Sequence, residues 1–159
     1  MKQIISLILG LIIGATGMFY FFSNQMADNM MLVRESKLGF EQTVSAIQNG
    51  ANAAGWKIPH TYDIQKSLAK DSLHIKRLKV ISLCQPHFAY EIVSQDSNKQ
   101  ISAIMPCRIS VYEDQNGKIM ITQLNTSQVS SLFGGLVEEV MGKVSREQED
   151  FLTAIIKKE

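Results

Sequence analysis

Residues 101–124 read ISAIMPCRISVYEDQNGKIMITQL, and their pattern predicts the two strands of a β-hairpin. Apolar and polar side chains alternate on both sides of the sequence DQNGK, as they do along a strand with one face buried. The Asn-Gly pair at residues 116–117 supplies the positive φ that a tight hairpin turn needs. Cys107 shares one face of the first strand with Ile109 and Val111. We therefore expect a hairpin that presents Cys107 to the core.

The sequence before this hairpin predicts strands that alternate with helices. A β-branched, apolar composition favours strands, and apolar residues at helical spacing that end near a glycine favour a helix. We expect βαβ-type units in this region. The predicted elements are a strand in MMLVRE (30–35), a helix from Phe40 to Gly55, a short helix in YDIQKSLAK (62–70), a strand in IKRLKVISLC (75–84) and a helix in PHFAYEIVSQ (86–95).

After the hairpin, residues 129–144 carry apolar side chains at positions i, i+3, i+4 and i+7, which predicts one long amphipathic helix. The pair Gly134-Gly135 interrupts it and predicts a bend or a close backbone contact. A second helix is expected to start at Ser145, with Gln148 completing a capping box. Together these elements predict an α+β fold: a two-layer domain with a C-terminal β-hairpin and helices packed on one face of the sheet.

The N-terminal residues 4–22 contain no charged side chain and are long enough to cross a bilayer as a helix. We expect a transmembrane anchor at residues 1–23, a linker at 24–29 and the α+β domain at 30–159. A cleaved signal peptide is the alternative. With an uncleaved anchor, the domain is expected on the periplasmic or extracellular side of a bacterial membrane.

The charge of the chain is nearly balanced, with 16 basic and 15 acidic residues among 159. Proteins that bind the phosphate backbone show a clear basic excess. A nucleic acid is therefore not expected as a partner. The sequence also lacks a nucleophile elbow, a phosphate loop, a dinucleotide fingerprint and a zinc-protease helix, so no enzymatic reaction is predicted.

Four blocks of the chain stand out in order: GWKIPHTYDIQKSL (55–68), VISLCQPHFAYEIV (80–93), MPCRISVYEDQNGKIMITQLN (105–125) and LFGGLVEEVMGKV (132–144). Together they resemble the domain-of-unknown-function 302 family. The resemblance extends from about residue 31 to residue 152 and rests on the ordered set of blocks. It implies a small α+β domain that is often a dimer, and it implies no established activity.

The two cysteines of the sequence, Cys84 and Cys107, allow three interpretations. Both fit as small buried hydrophobic residues. Both also fit as an intradomain disulfide, if the domain faces an oxidising compartment. The third interpretation is a working thiol site, because Cys84 lies just before a helix N-terminus, where the helix macrodipole favours a thiolate.

A working thiol site would recruit other soft ligands near the cysteines. His87 follows Cys84 by three residues, within reach if the chain turns helical there. With Cys107, and with Met105 or Met120, these residues form a sulfur-nitrogen set that suits Cu(I), another thiophilic metal or haem. We expect Cys84, Cys107 and His87 to be the ligand-binding and metal-binding residues, and we expect no catalytic residue.

The sequence leads to two functional hypotheses. The first is a membrane-anchored domain outside the cytoplasm that binds a thiophilic metal, haem or a small sulfur or redox ligand at Cys84 and Cys107. The alternative is a structural subunit, a homodimer or the partner of a membrane protein, that scaffolds a larger assembly. In the alternative, the cysteines are core residues or a disulfide.

Overall fold

The computed structural model describes residue 10, residues 14–20 and residues 29–157. Residues 14–20 are helical and exposed. Within the described ranges, no helix is both long enough and apolar enough to cross a membrane. Most of the predicted anchor, and most of the linker at 24–29, lie outside the described residues.

One antiparallel sheet forms the centre of the domain. The strands lie in the order 1-5-4-3-2, and each pair of neighbours within residues 29–157 is antiparallel. The hairpin therefore occupies the middle of the sheet, and the first and second strands form its edges. The strands are β1 (Met31–Glu35), β2 (Thr61–Asp63), β3 (Leu78–Leu83), β4 (Cys107–Glu113) and β5 (Ile119–Leu124).

The longest helices cover one face of this sheet, which confirms the predicted α+β fold. The first α-helix packs on the strands β3 and β4. The last α-helix packs on three other helices, namely the first, third and fourth α-helices. The opposite face of the sheet exposes Met31, Val33 and Tyr62. The helices in residues 29–157 are α1 (Phe40–Ala53), α2 (Ile64–Ala69), α3 (Pro86–Val93), a 3-10 helix (Asp96–Ile104), α4 (Thr126–Ser130) and α5 (Gly135–Leu152).

The predicted βαβ-type units are wrong, because such a unit places two parallel strands side by side. β1 and β2 point in the same direction but lie at opposite edges of the sheet. β3 and β4 are neighbours, with Leu83 opposite Cys107, but they are antiparallel. The connection between them consists of α3 and the 3-10 helix, which pack against each other. The chain therefore returns to the end of the sheet that it left.

The predicted hairpin is confirmed. The carboxylate of Asp114 accepts hydrogen bonds from the backbone N–H groups of Asn116 and Lys118, and Gly117 has a φ of +81°. The first strand is shorter than predicted, because residues 101–104 belong to the 3-10 helix. Pro106 has no N–H to donate to a neighbouring strand, so regular pairing starts only after it.

The long helical stripe predicted at residues 129–144 is divided into two helices. Gly134 and Gly135 have φ values of +66° and +55°, in the left-handed region that favours glycine. The glycine pair thus separates α4 from α5. Leu132 and Phe133 lie in the turn before the pair and are 63% and 49% exposed, so they do not continue the buried stripe.

The predicted second helix start at Ser145 is also wrong, because α5 continues without interruption past this residue. A serine cap needs a helix N-terminus with unpaired N–H groups, and the interior of a helix has none. Gln148, which was expected to reach back toward the cap, is instead only 1% exposed and belongs to the buried face of α5.

The core lies between the sheet and the helices. Trp56, just after α1, is buried, and its indole Nε1 donates a hydrogen bond to Oε2 of Glu147 on α5 at 2.7 Å. Its polar atom is thereby satisfied inside an apolar environment. The other large side chains that are fully buried are Ile47, Ile81, Leu83, Ile92, Ile109, Ile121, Gln148 and Leu152.

Candidate functional site

The sheet brings the two cysteines together at one end of β3 and β4. Cys107, the first residue of β4, lies opposite Leu83, and Cys84 follows Leu83 directly. The backbone of Cys84 exchanges two hydrogen bonds with Lys57, at 2.8 and 2.9 Å, and this bridge fixes its position. Both cysteines are free thiols.

Four sulfur-bearing side chains line one small cavity, which we call the sulfur cavity. Its volume is about 30 Å³. Its apolar wall includes Trp56, Phe88, Ile92 and Val144. The four side chains that bring sulfur to it are those of Cys84, Met105, Cys107 and Met141.

The size of the sulfur cavity limits what it can hold. A cavity measured in this way needs a volume of roughly 10–15 Å³ to contain one water molecule. The sulfur cavity therefore has room for a single ion or one or two small molecules. Haem, one of the ligands expected from the sequence, is far larger than this space.

Burial raises the pKa of the Cys107 thiol from an ordinary 9.0 to about 11. A hydrogen bond from the side chain of Gln148 lowers this pKa, and the electrostatic effect of the nearby Cys84 raises it. Cys107 is therefore a neutral thiol near pH 7, which makes it a weak nucleophile. It can become a metal ligand only by releasing its proton.

His87 lies outside the sulfur cavity. Its side chain is 75% exposed on the surface of α3, with Nε2 3.9 Å from Oε1 of Glu91. Met120 lies on β5 opposite Glu35 and does not line the cavity either. Within the described residues, no three histidine, cysteine, aspartate or glutamate side chains form a group that could hold a metal ion. The structure thus places the two thiols beside the thioether groups of Met105 and Met141.

Met141 and Gln148, both on α5, contribute to the surroundings of Cys107 and were not identified from the sequence. Met141 lines the sulfur cavity, and Gln148 influences the pKa of Cys107. The sequence did contain one signal for these residues. Gln148 is a polar residue seven positions after Met141, so it lies on the same helix face as Met141. The capping-box interpretation assigned this glutamine to a helix end instead.

The fold and the site define a two-layer α+β domain with a pair of half-buried thiols beside two methionines. The model of the family described as "Domain of unknown function DUF302" matches residues 32–158. The chain therefore belongs to the DUF302 family.

A solved structure supports the same fold. The chain is similar to the crystal structure of an uncharacterized conserved DUF302 protein from Bacillus stearothermophilus, with a TM-score of 0.70 and 14% sequence identity. The similarity covers 78% of this chain and 96% of the other. No curated protein matches the chain.

Proposed function

We propose that this domain binds one thiophilic metal ion, with Cu(I) as the best candidate, in the sulfur cavity. The observation that carries the proposal is the convergence of Cys84, Cys107, Met105 and Met141 on one cavity of about 30 Å³. Thiolate and thioether sulfurs are the ligands that select Cu(I). The apolar wall around them would keep water away from the ion.

The ligand roles follow from the chemistry of each sulfur. Cys84 and Cys107 would bind as thiolates, and metal binding would therefore release protons. Met105 and Met141 would bind as neutral thioethers, which adds no charge to a buried site. His87 has no role in this ligand set, because its side chain is exposed on α3.

The test is a competition titration of the reduced full-length chain with Cu(I), under exclusion of oxygen and against a chromophoric Cu(I) chelator. We expect one equivalent of Cu(I) to bind. Loss of a single outer partner of a metal ligand commonly weakens binding by about 10–100-fold. We therefore expect Cys84→Ser and Cys107→Ser to weaken it by about 100-fold or more.

The matched control is His87→Ala, which removes the one histidine near the cysteines in sequence. We expect its affinity for Cu(I) to equal that of the wild type. No binding in the wild type, or equal losses in His87→Ala and Cys84→Ser, would contradict the proposal.

We also propose that the domain is held at a membrane, outside the cytoplasm, by residues 1–23. The support is the uncharged sequence of residues 4–22. The test is treatment of intact spheroplasts with a protease. Degradation of the domain would support this location, and protection until the cells are lysed would contradict it.

A second candidate function is the scaffolding role, in which two copies of the chain pair. Its support is the exposure of Met31 and Val33, which lie side by side on the edge strand β1, on the sheet face opposite the helices. Apolar patches of this kind mark interaction surfaces. Val33→Glu should convert a dimer into a monomer in sedimentation experiments. A wild-type chain that sediments as a monomer at high concentration would exclude this role.

A further inference from the structure

Exposed apolar side chains gather at one end of the domain, the end at which β4 begins and β5 ends. Ile104 and Leu124 line one opening there together with Met31. The same two residues line a second opening together with Phe133, so the two openings form one continuous apolar surface. Leu132 precedes Phe133 in the exposed turn after α4. We call the surface formed by Met31, Ile104, Leu124, Leu132 and Phe133 the end patch.

The segments that form the end patch contain no charged residue. They are residues 29–33, 100–107 and 119–137, and none of them includes a lysine, arginine, aspartate, glutamate or histidine. Single exposed hydrophobic residues are ordinary, but a contiguous apolar surface marks a site of interaction. Because these segments hold no charge, the end patch can leave water without the large cost of desolvating a charged group.

The N-terminal part of the chain enters the domain beside the end patch. The backbone N–H of Asn125 donates to the carbonyl oxygen of Met30 at 2.8 Å, and its side-chain Nδ2 donates to the carbonyl oxygen of Asn29 at 3.0 Å. The side-chain oxygen of Asn125 accepts from the N–H of Gln128 and so caps α4. With five residues, α4 is only about 7.5 Å long. Asn125 therefore fixes the entry of the chain close to the exposed turn that follows α4.

The length of the connection limits how far the domain can stand from a membrane. The uncharged stretch of the sequence ends at residue 22, and residues 23–28 separate it from Asn29. A fully extended chain advances at most about 3.6 Å per residue, so the path from residue 22 to Asn29 covers at most about 25 Å. With residues 4–22 in a bilayer, the end of the domain that lies nearest to the lipid is the end with the end patch.

We propose that the end patch docks on the lipid bilayer, with Leu132 and Phe133 inserted among the headgroups. This inference rests on the proposed location of the chain at a membrane, and it adds the contact that orients the domain there. Leucine and phenylalanine are typical of surfaces that lie at the boundary between headgroups and acyl chains. A short tether gives the patch a high effective concentration at the bilayer, whatever the concentration of the chain. The lipid surface is therefore favoured over a second copy as the occupant.

The test introduces a tryptophan into the exposed turn by Phe133→Trp, in the full-length chain reconstituted into vesicles of phosphatidylcholine and phosphatidylglycerol. We expect the added emission to shift to shorter wavelength, and to lose most of its intensity when the phosphatidylcholine is brominated near its headgroup. The native Trp56 is buried, so the emission of the wild type gives the background to subtract.

The matched control is Gln115→Trp. It places an exposed tryptophan in the hairpin turn, at the opposite end of β4 and β5 from the end patch. Its added emission should stay at the wavelength of a tryptophan in water, and brominated lipid should leave its intensity unchanged.

Flotation of the vesicles on a density gradient tests the membrane location separately. Leu132 and Phe133 are exposed, so the double variant Leu132→Ser with Phe133→Ser is expected to fold. The wild type and this variant should both float with the vesicles, because residues 1–23 hold them. Flotation that is lost in the double variant would contradict the anchor and support the docking of the end patch.

The docking proposal is overturned if the chain floats but brominated lipid quenches Phe133→Trp no more than Gln115→Trp. This result would leave the anchor intact. An emission that is shifted but not quenched also overturns it, since a protein surface such as a second copy would then cover the patch. A wild type that does not float at all overturns the docking together with the anchor.

Discussion

The guanidinium group of Arg34 donates two hydrogen bonds to the carboxylate of Glu149, at 2.5 and 2.7 Å, and so joins β1 to α5. Gln123 on β5 donates a third hydrogen bond to the same carboxylate. One carboxylate on the last helix therefore connects an edge strand and the central hairpin.

We predict that Arg34→Met lowers the free energy of unfolding by about 1.5–3 kcal/mol, because it leaves the half-buried carboxylate of Glu149 without its charged partner. Urea denaturation measures this loss. The control is Lys143→Met, which breaks the exposed pair of Lys143 and Glu139 on the surface of α5. Exposed pairs contribute little, so the control should leave the unfolding midpoint unchanged. Equal losses in both variants would contradict the prediction.

We predict opposite effects for two glycine-to-alanine changes in helices. At Gly50 in α1, an added Cβ would lie 2.8 Å from Cβ of Phe151 on α5, closer than such atoms approach. Gly50→Ala should therefore destabilise the domain by about 1–3 kcal/mol. At Gly142, the nearest atom would be Nη1 of Arg146 at 3.7 Å, an ordinary contact.

Gly142→Ala should therefore stabilise the domain by up to about 1 kcal/mol, since alanine is the better helix former. Thermal unfolding of the two variants measures both effects. A stabilising Gly50→Ala would show that α1 and α5 are not in close contact at this point.

We predict that Cys107 makes the stability of the domain fall at alkaline pH. Its thiol has a pKa of about 11 in the folded protein, against an ordinary 9.0. Above pH 9 the unfolded chain loses this proton while the folded protein keeps it, so the stabilising contribution disappears between pH 9 and pH 11. The full effect is about 2–3 kcal/mol.

Other side chains also titrate in this range, so the measurement is the difference in unfolding free energy between the wild type and Cys107→Ala. Urea titrations at pH 8, 9, 10 and 11 give this difference. The free-energy difference should be constant up to about pH 9. At higher pH the wild type should lose stability relative to Cys107→Ala. A difference that does not change with pH would show that the thiol is not buried in solution.

We predict that Cu(I) binds more tightly as the pH rises. Cys107 is protonated over the whole neutral range, so binding must displace its proton, and each displaced proton increases the apparent affinity about tenfold per pH unit. Chelator competition at pH 6, 7 and 8 measures this slope. A pH-independent affinity would exclude Cys107 as a ligand.

We predict that Cu(I) quenches the fluorescence of Trp56, the one tryptophan in the sequence, because its ring lines the sulfur cavity. The emission should decrease up to one equivalent of added Cu(I) and then stay constant. The combined variant Cys84→Ser with Cys107→Ser should keep its full emission, and His87→Ala should behave as the wild type does. Quenching in the combined variant would locate the ion elsewhere.

Local patterns in the sequence predicted most of the individual elements. The alternation in β4 and β5 correctly placed Ile109 and Val111 on the buried face, and Pro86 correctly marked the start of α3. These features depend on residues that are neighbours in the chain. The order of the strands was not predictable in this way, since β1 pairs with β5 across most of the domain.

The errors arose where backbone conformation overrides a periodic pattern. Two successive glycines with positive φ end the stripe at Leu132 and Phe133, whose side chains look like core residues in the sequence alone. At Ser145 the local sequence resembled a helix start, but a cap requires unpaired N–H groups. Only the packing of the whole domain shows that α5 continues.

The candidate site was predictable only in part. Cys84 and Cys107 were identified by residue type, and the position of Cys107 followed from the alternation of β4. Met141 and Gln148 were not identified, because they approach Cys107 through tertiary packing and form no motif with it in sequence. His87 was close to Cys84 in sequence, but the direction of α3 turns its side chain to solvent.

The sulfur cavity is lined by Trp56, by residues of α3 and of the ends of β3 and β4, and by α5, which lies close to the C-terminus. During synthesis both cysteines are added to the chain before Met141 and Gln148. A nascent chain therefore passes through a stage in which Cys107 lacks the helix that buries it, and its thiol then ionises as in an ordinary peptide. Oxidants and metal ions meet their most reactive target in this interval, before α5 docks.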